Sequence, residues 1–174
     1  MKKNIQQAHK PHDEKLPAVQ YGVESHESSS FTLSADETAS LLFMIEEEKM
    51  ARDVYDALFE ITGIKTFDVI SDSENQHYTK LLELAGKFNL ELGALPSEAG
   101  LFVNKEIQSL YDQLVLQGSS SQETAADVGI LIEQTDIKDL QNLLAAVDVK
   151  PIGIVYENLL QASASHLSTF EALM

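Results

Sequence analysis

The chain has no cysteine among its 174 residues, and this absence excludes several classes of protein. Disulfide-linked folds, thiolate zinc sites, iron–sulfur clusters and cysteine nucleophiles all depend on that side chain. A rubredoxin-like electron-transfer module is excluded for the same reason. The sequence also lacks a glycine-rich phosphate loop and a candidate serine triad. Any oxidoreductase activity would therefore need an external electron donor.

Glycine and proline are scarce, with 8 and 4 residues, while Leu, Ala, Glu and Gln are abundant. This composition favours helices, because good helix formers dominate and the residues that interrupt helices are rare. No window alternates apolar and polar residues as a half-buried strand would. No apolar run approaches the length that spans a membrane. We expect an all-α protein with no membrane span.

Positive charge is scarce: the chain has 28 acidic but only 12 basic residues, and its formal net charge is −16. The first 33 residues are balanced, so the remainder carries the whole excess, as 24 acidic against 8 basic residues. Such a surface repels nucleic acid and anionic membranes, and it suits cations or simply water. The opening "MKKN" is not followed by the apolar segment of an export signal. We expect a cytoplasmic protein, with an exported form whose signal has been removed left open.

Residues 1–33 are polar and show no period, and we interpret them as a disordered or loosely ordered tail. Residues 34–174 are predicted to form one helical domain. Caps and apolar spacing predict four long helices and a short one, over about 35–62, 66–88, 104–118, 121–147 and 151–174. Two hairpins joined by a long crossover that contains the short helix form a ferritin-like four-helix bundle. An up-down-up-down bundle with an extra helix is the alternative.

Each long helix carries polar side chains inside an otherwise apolar face when it is drawn on a helical wheel. In the first helix, Glu48 lies in the middle of the apolar stripe, whereas Glu46 points away and Glu47 lies at its edge. The polar residues on the stripes of the other three long helices are Glu74 and His77, Glu133 and Asp136, and Ser163 and His166. The wheels therefore predict that acids and histidines from all four helices face one another.

A single acid or histidine in such a position is most often an ordinary structural residue. Four carboxylates in one bundle differ, because burying unpaired charges costs several kcal/mol each and the charges repel one another. They either take up protons or hold a cation. Four carboxylates and two imidazoles form the ligand set of a di-metal site, which suits iron or manganese and also zinc. Two such ions roughly 3.5–4 Å apart can share bridging carboxylates.

The stretches "EEEKMARDVY" and "SENQH" resemble the ferritin-like di-iron proteins, the group that includes the rubrerythrins. The resemblance implies that Glu48 is the first-helix ligand, Glu74 and His77 are the second-helix ligands, and Glu133 is the third-helix ligand. The later runs "VGILIEQTDIKDL" and "VYENLLQASASHLSTF" resemble a bacterial ferritin-like branch, a domain of unknown function. The motifs together cover residues 36–172. They imply two metal ions, iron first, that react with oxygen or peroxide.

The last helix departs from the symmetric pattern of that superfamily, which has a second Glu-x-x-His there. Here the sequence is "SASH", with Ser163 where the Glu would stand. Asp136, one turn after Glu133, is our candidate for the missing carboxylate. The hypothetical ligand set is Glu48, Glu74, His77, Glu133, Asp136 and His166. The altered set leaves ferroxidase activity open, as it does an asymmetric or mononuclear site.

Two neighbours of Glu48 are candidate supporting residues around the ligands. Arg52, the single arginine of the chain, lies one turn away and either orients that carboxylate or forms an ion pair at the bundle edge. Tyr55 lies on the stripe, as do Tyr78 and Tyr156. All three are interpreted as core aromatic residues with a bonded hydroxyl rather than as redox-active groups.

Three functions fit these observations. The first is an oxidoreductase whose di-metal centre uses oxygen or peroxide together with an external electron donor. The second is an iron-binding or storage protein of the ferroxidase type, which needs a closed shell of subunits and hence a homo-oligomer. The third is a non-enzymatic helical binding module with an altered metal site.

Overall fold

The structure is a computed structural model that describes residues 32–92 and 95–174. Within these residues it contains five helices and no strand. The helices are α1 (Ala35–Thr62), α2 (Lys65–Lys87), α3 (Lys105–Gly118), α4 (Gln122–Ala146) and α5 (Lys150–Glu171). The prediction of an all-α helical bundle is confirmed for the described part of the chain. The tail predicted over residues 1–33 falls almost entirely outside the described residues.

Local cap chemistry explains where the helices begin and end. Ser34 caps α1 in a capping box, because its hydroxyl accepts the Glu37 N–H and its own N–H donates to the Glu37 carboxylate. Gly63 ends α1 in the left-handed conformation, with φ of 69°. Ser121 caps α4 in the same way as Ser34, and Pro151 stands in the first turn of α5. The predicted boundaries agree with the observed ones to within two residues, except that α5 ends at Glu171 and not at the last residue.

The helices associate as two hairpins. The short connection 63–64 returns α2 along α1, and residues 147–149 return α5 along α4. Contacts of α1 with α4 and of α2 with α5 close the bundle, and α3 packs on α1 and α4. The connection between Lys87 of α2 and Gln122 of α4, called the crossover below, is long and contains α3. None of the described helices is long and apolar enough to cross a membrane.

Two apolar clusters fill the bundle, one near each end. The aromatic cluster contains Tyr55, Phe67 and Phe170, whose ring centroids lie 5.1–5.8 Å apart. The aliphatic cluster contains, among others, Leu41, Met44, Ile45, Leu140 and Ile152. On every long helix, the polar residues of the predicted site lie between residues of one cluster and residues of the other. The two clusters therefore keep water away from both ends of that site.

The crossover segment covers the outer face of α1. Glu46 was expected to point away from the stripe and Glu47 to lie at its edge, and both are buried, at 7% and 5% exposure. The Glu46 carboxylate accepts the N–H groups of Val103 and Asn104, at 2.7 and 3.0 Å. A wheel gives the direction of a side chain but not whether another segment buries it.

A buried ion pair fastens the same segment to α1. Lys49 Nζ lies 2.7 Å from Asp53 Oδ2 and donates to the carbonyl oxygens of Glu98 and Leu101, at 2.8 and 3.2 Å. Asp53 Oδ2 also accepts the N–H of Gly100 at 2.8 Å. The carboxylate and the ammonium therefore satisfy each other and the backbone of the crossover, which is what buried charges need.

Candidate metal centre

Five of the predicted ligands come together between the two apolar clusters, from four different helices. They form two groups of three, in each of which one ligand atom per residue lies within 4.8 Å of the others. The first group is Glu48, Glu74 and His77, and the second is Glu74, Glu133 and His166. Glu74 belongs to both groups. This is the arrangement expected of two neighbouring cation sites that share one carboxylate.

Glu74 divides its two oxygens between the two histidines. His77 Nδ1 lies 2.7 Å from Oε2 of Glu74 and 3.2 Å from Oε2 of Glu48. His166 Nδ1 lies 2.8 Å from Oε1 of Glu74 and 3.6 Å from Oε1 of Glu133. The imidazole rings are 5.8 Å apart and inclined by only 25°. Each Nδ1 atom therefore faces the carboxylates of its own ligand group.

Helix geometry explains why α2 and α5 supply these groups. Residues three apart on a helix lie on one face, so Glu74 and His77 leave α2 together. On α5 the corresponding pair is Ser163 and His166. Each of these residues is flanked along its helix by apolar side chains of the core, which turns that face inward. The Glu-x-x-His spacing thus aims both side chains of α2 into the bundle.

Two further hydrogen bonds hold members of the second group. The Tyr55 hydroxyl donates to Oε1 of Glu133 at 2.7 Å, so the tyrosine contacts a candidate ligand directly. His166 Nε2 lies 3.1 Å from the Ser73 hydroxyl. Ser73 was not singled out from the sequence, although its position four residues before His77 places it at the edge of the same helix face. Partners of this kind fix the orientation of metal ligands.

Asp136 lies beside the two groups and is a member of neither. The Ser163 hydroxyl donates to Oδ2 of Asp136 and to the Leu159 carbonyl oxygen. The other oxygen of Asp136, Oδ1, is buried and has no hydrogen-bond partner in the described residues. The serine that replaces the expected Glu therefore holds the aspartate that was predicted to substitute for it. A direct Asp136–metal contact stays a prediction.

Arg52 makes its hydrogen bonds away from the ligands. Its guanidinium donates to Oδ1 of Asp53 at 2.7 and 2.9 Å and to Asn75 at 3.1 Å. It also lies 5.0 Å from the centre of the Tyr78 ring. Within the described residues, none of its hydrogen bonds goes to Glu48. These contacts correspond to the ion-pair alternative for Arg52.

Burial and mutual proximity shift the pKa values of the clustered groups in opposite directions. Burial alone would raise the pKa of Glu74, but the imidazoles of His166 and His77 outweigh it and hold the pKa at about 2. Burial lowers the pKa of His166, but the carboxylates of Glu133 and Glu74 outweigh it and raise the pKa to about 10. The imidazolium of His166 thus compensates the charge of Glu74.

The remaining carboxylic acids are driven toward the protonated state. Burial raises the pKa of Glu133 to about 7 and that of Asp136 to about 8. It also raises the pKa of Glu48 well above the ordinary value, and Asp136 and Glu74 add repulsion. Without a cation, the cluster therefore holds more carboxylates than its imidazoles can neutralise. Bound cations would allow all of them to ionise.

Several buried oxygen atoms in this region have no hydrogen-bond partner among the described residues, and a bound cation would give them one. Oε1 of Glu48 and Oε2 of Glu47 have no hydrogen bond in the described residues, like Oδ1 of Asp136. The contact of His166 Nδ1 with Glu74 is short but lacks the alignment of a hydrogen bond. Orphaned carboxylate oxygens and imidazole nitrogens are ligand atoms of iron, manganese and zinc. The donor set therefore fits divalent metal ions.

Comparison with known proteins gives a relative that shares this fold. The uncharacterized protein MJ0754 of Methanocaldococcus jannaschii is 35% identical over 142 residues, which span 82% of this chain and 77% of that protein. The crystal structure of the hypothetical protein MJ0754 from Methanococcus jannaschii DSM 2661 superposes with a TM-score of 0.79 at 36% identity and covers 80% of each chain. This relative is archaeal, whereas the resemblance of the motifs pointed to a bacterial branch. Residues 37–174 match the family described as an uncharacterized protein domain (DUF2202), and the chain belongs to that family.

Proposed function

We propose that the buried cluster binds two metal ions, with Glu74 contributing one carboxylate oxygen to each. The observation that carries the proposal is the pair of three-residue ligand groups that share Glu74. Glu48 and His77 would complete the ligands of the first ion, and Glu133 and His166 those of the second. Asp136 is near enough to repel Glu48 and Glu133, and it would supply a further carboxylate after a small movement.

Iron is the metal we expect first, and the proposed activity is that of an oxidoreductase using oxygen or peroxide. Hard carboxylate oxygens combined with imidazole nitrogen suit iron or manganese. Bound iron would supply the redox chemistry. The motif resemblance to ferritin-like di-iron proteins points the same way. Electrons would come from an external donor.

The side chains of this protein would prepare the centre in three ways. The two apolar clusters exclude water from the ends of the cavity, which strengthens electrostatic interactions between ligands and cations. Tyr55 holds one oxygen of Glu133 and thereby orients that carboxylate. Glu133 and Asp136, with pKa values of about 7 and 8, would release protons when cations bind near neutral pH.

The acidic surface favours a second candidate function, iron binding or storage of the ferroxidase type. A net charge of −16 raises the local concentration of cations. Storage also needs a closed shell of subunits, so the size of the protein in solution separates the two functions. A monomer or dimer in sedimentation would exclude a storage cage.

The internal ion pairs of the cluster favour a third candidate, a helical module without metal chemistry. His77 and His166 lie 2.7 and 2.8 Å from Glu74, so imidazole–carboxylate ion pairs could hold the three side chains together. If these contacts suffice, added metal should neither bind stoichiometrically nor raise the unfolding temperature.

Metal analysis of protein purified without chelator tests the proposal. We expect two iron ions per chain and ferric charge-transfer absorption in air. The Glu74→Gln variant should lose both ions, because both ligand groups use that carboxylate. Glu83→Gln, an exposed acid on the same helix, is the matched control and should keep both. Absence of stoichiometric iron, manganese or zinc in the wild-type protein would refute the proposal.

A further inference from the structure

A cleft between α2 and α5 reaches the candidate metal centre at His166. Its volume is about 480 Å³, which is the size of a pocket for a small organic molecule. One wall comes from the first turns of α2 and the other from the last turns of α5. His166 lies in the wall with Nδ1 toward Glu74 and Nε2 toward Ser73, which also lines the cleft. The imidazole is therefore shared by the cleft and the ligand cluster.

The lining of the cleft is almost uncharged, although the protein carries a large negative charge. It contains no aspartate and no glutamate, but four hydroxyl side chains: Thr66, Ser73, Ser165 and Thr169. It holds two cations, the Lys65 ammonium, which lies 3.3 Å from Asp68, and the His166 imidazolium, which lies 2.8 Å from Glu74. The charge of Lys65 is thus compensated by Asp68, which does not line the cleft. Nothing in these walls would select a metal cation over a neutral molecule.

Apolar surface completes the cleft. Val69 and Ile70 supply the apolar part of the lining, on the α2 side. Val69 is 67% exposed, although buried polar residues lie nearby. An exposed valine beside several hydroxyls suits a ligand with an apolar body and a few hydrogen-bonding groups. Such a ligand would bury Val69 and donate to, or accept from, the hydroxyls.

We propose that this cleft binds a small, uncharged organic molecule and presents it to the metal centre through the His166 wall. The cleft is then a substrate site and not the route by which metal ions enter. This inference rests on the proposed metal site for its use, but binding to the cleft does not depend on metal. The two claims can therefore fail separately.

Phenol is a suitable probe, since it is neutral at pH 7 and combines an apolar ring with one hydroxyl. In chelator-treated protein, titration with phenol should shift the ring resonances of His166 and leave those of His77 unchanged. His77 is a useful internal reference because its side chain is as exposed as that of His166, at 13% against 12%, yet it does not line the cleft. Equal shifts of both rings, or no shift, would overturn the proposed site.

Filling the cleft gives the second test. Val69→Trp should weaken phenol binding by about tenfold or more, because the new ring occupies the apolar part of the cleft. Leu116→Trp is the matched control, an equally conservative change at a position on α3 that is 74% exposed and outside the cleft. It should leave the affinity unchanged. Affinity within about twofold of wild type in both variants would refute the role of the cleft.

Optical spectra of iron-loaded protein test whether a molecule in the cleft affects the metal centre. Phenol should change the ferric charge-transfer absorption of the wild type, and Val69→Trp should abolish that change while the iron content and the rate of iron loading stay unchanged. If the variant slows iron loading instead, the cleft is the metal entrance and the proposal is wrong. Phenol binding without any change in the absorption of iron-loaded protein would disprove the link to the centre. Failure of the wild type to bind iron, with phenol binding intact, would refute only the proposed function.

Discussion

Chelator-treated protein should lose stability as the pH rises from about 5 to about 8, because buried acids must ionise without a cation. Burial raises the pKa of Asp136 from 3.8 to about 8 in the folded state. A group of this kind stabilises the fold fully below its unfolded pKa, and that stability is lost as the pH rises through its folded pKa. Glu48 and Glu133 act in the same direction, since burial raises both of their pKa values.

His166 and Glu74 also contribute to the pH dependence of the metal-free stability, and the sign of each contribution follows from its pKa. The raised pKa of His166 contributes stability below about 6.5 that is lost as the pH rises through about 10. Glu74, with a pKa lowered to about 2, contributes stability above 4.5 that is lost only in strong acid. It therefore changes little between about pH 5 and about pH 8. Glu48, Glu133, Asp136 and His166 therefore all destabilise the metal-free fold as the pH rises.

The share of Asp136 can be worked out from its two pKa values. Between them, one such group changes the free energy of unfolding by about 1.4 kcal/mol per pH unit. Asp136 alone should therefore remove roughly 3 kcal/mol between about pH 5 and about pH 7. The Asp136→Asn variant cannot ionise and can still accept the Ser163 hydrogen bond. Its metal-free stability should decline with pH less steeply by that amount.

Urea unfolding at several pH values, with chelator present, measures these slopes. Asp127→Asn is the matched control, because Asp127 is an exposed acid on the same helix and the substitution changes the net charge equally. Its slope should parallel that of the wild type, so the general repulsion within an acidic protein is accounted for. If Asp136→Asn and Asp127→Asn decline in parallel, the buried aspartate is not the source and the reasoning fails.

Three other substitutions test the site and its surroundings. Asp136→Ala should lower the number of bound metal ions or their affinity, and an unchanged count of two with unchanged affinity would remove Asp136 from the ligand set. Tyr55→Phe leaves a buried oxygen of Glu133 without its donor, so it should cost roughly 1–3 kcal/mol in chemical denaturation and weaken metal binding about tenfold; full metal affinity would argue against an orienting role. Gly129→Ala would place a methyl group 2.6 Å from the Phe170 ring, so a loss of roughly 1–3 kcal/mol is expected, and no loss would show that the aromatic cluster can yield.

Helix positions and most of the inward polar residues could be predicted because their causes are local. The Ser34 capping box and the left-handed Gly63 are readable from a few neighbouring letters, and they define both ends of α1. Glu74 and His77 stand three apart within an apolar stripe, so their burial follows from one helix alone. Glu133 on α4 and His166 on α5 each stand within an apolar stripe as well, so their inward positions could also be predicted from one helix. Which of these residues share a ligand group depends on how the four helices pack. Because all four polar faces point inward, however, few other groupings are possible.

Other features could not be predicted because they depend on segments that are distant in sequence. Glu46 is buried by the crossover, which begins some 40 residues later, and no wheel of α1 contains that contact. The buried pair of Lys49 and Asp53 has the same origin. The cleft between α2 and α5 likewise depends on how closely two helices from different hairpins approach each other. Tertiary packing decides these cases, and it overrides the amphipathic pattern of the single helix.

Ser163 stands three residues before His166, as Glu74 stands three before His77, and this difference makes the two ligand groups chemically different. Beside the second ligand group, the Ser163 hydroxyl donates to Oδ2 of Asp136. The other oxygen of that carboxylate, Oδ1, has no hydrogen-bond partner among the described residues and lies close to both groups. His166 in the second group contacts the cleft, whereas His77 does not line it. A small molecule in the cleft would thus lie nearer to a cation in the second group than to one in the first. Asymmetry of this kind favours a centre that reacts with an organic partner over one that only passes metal ions onward.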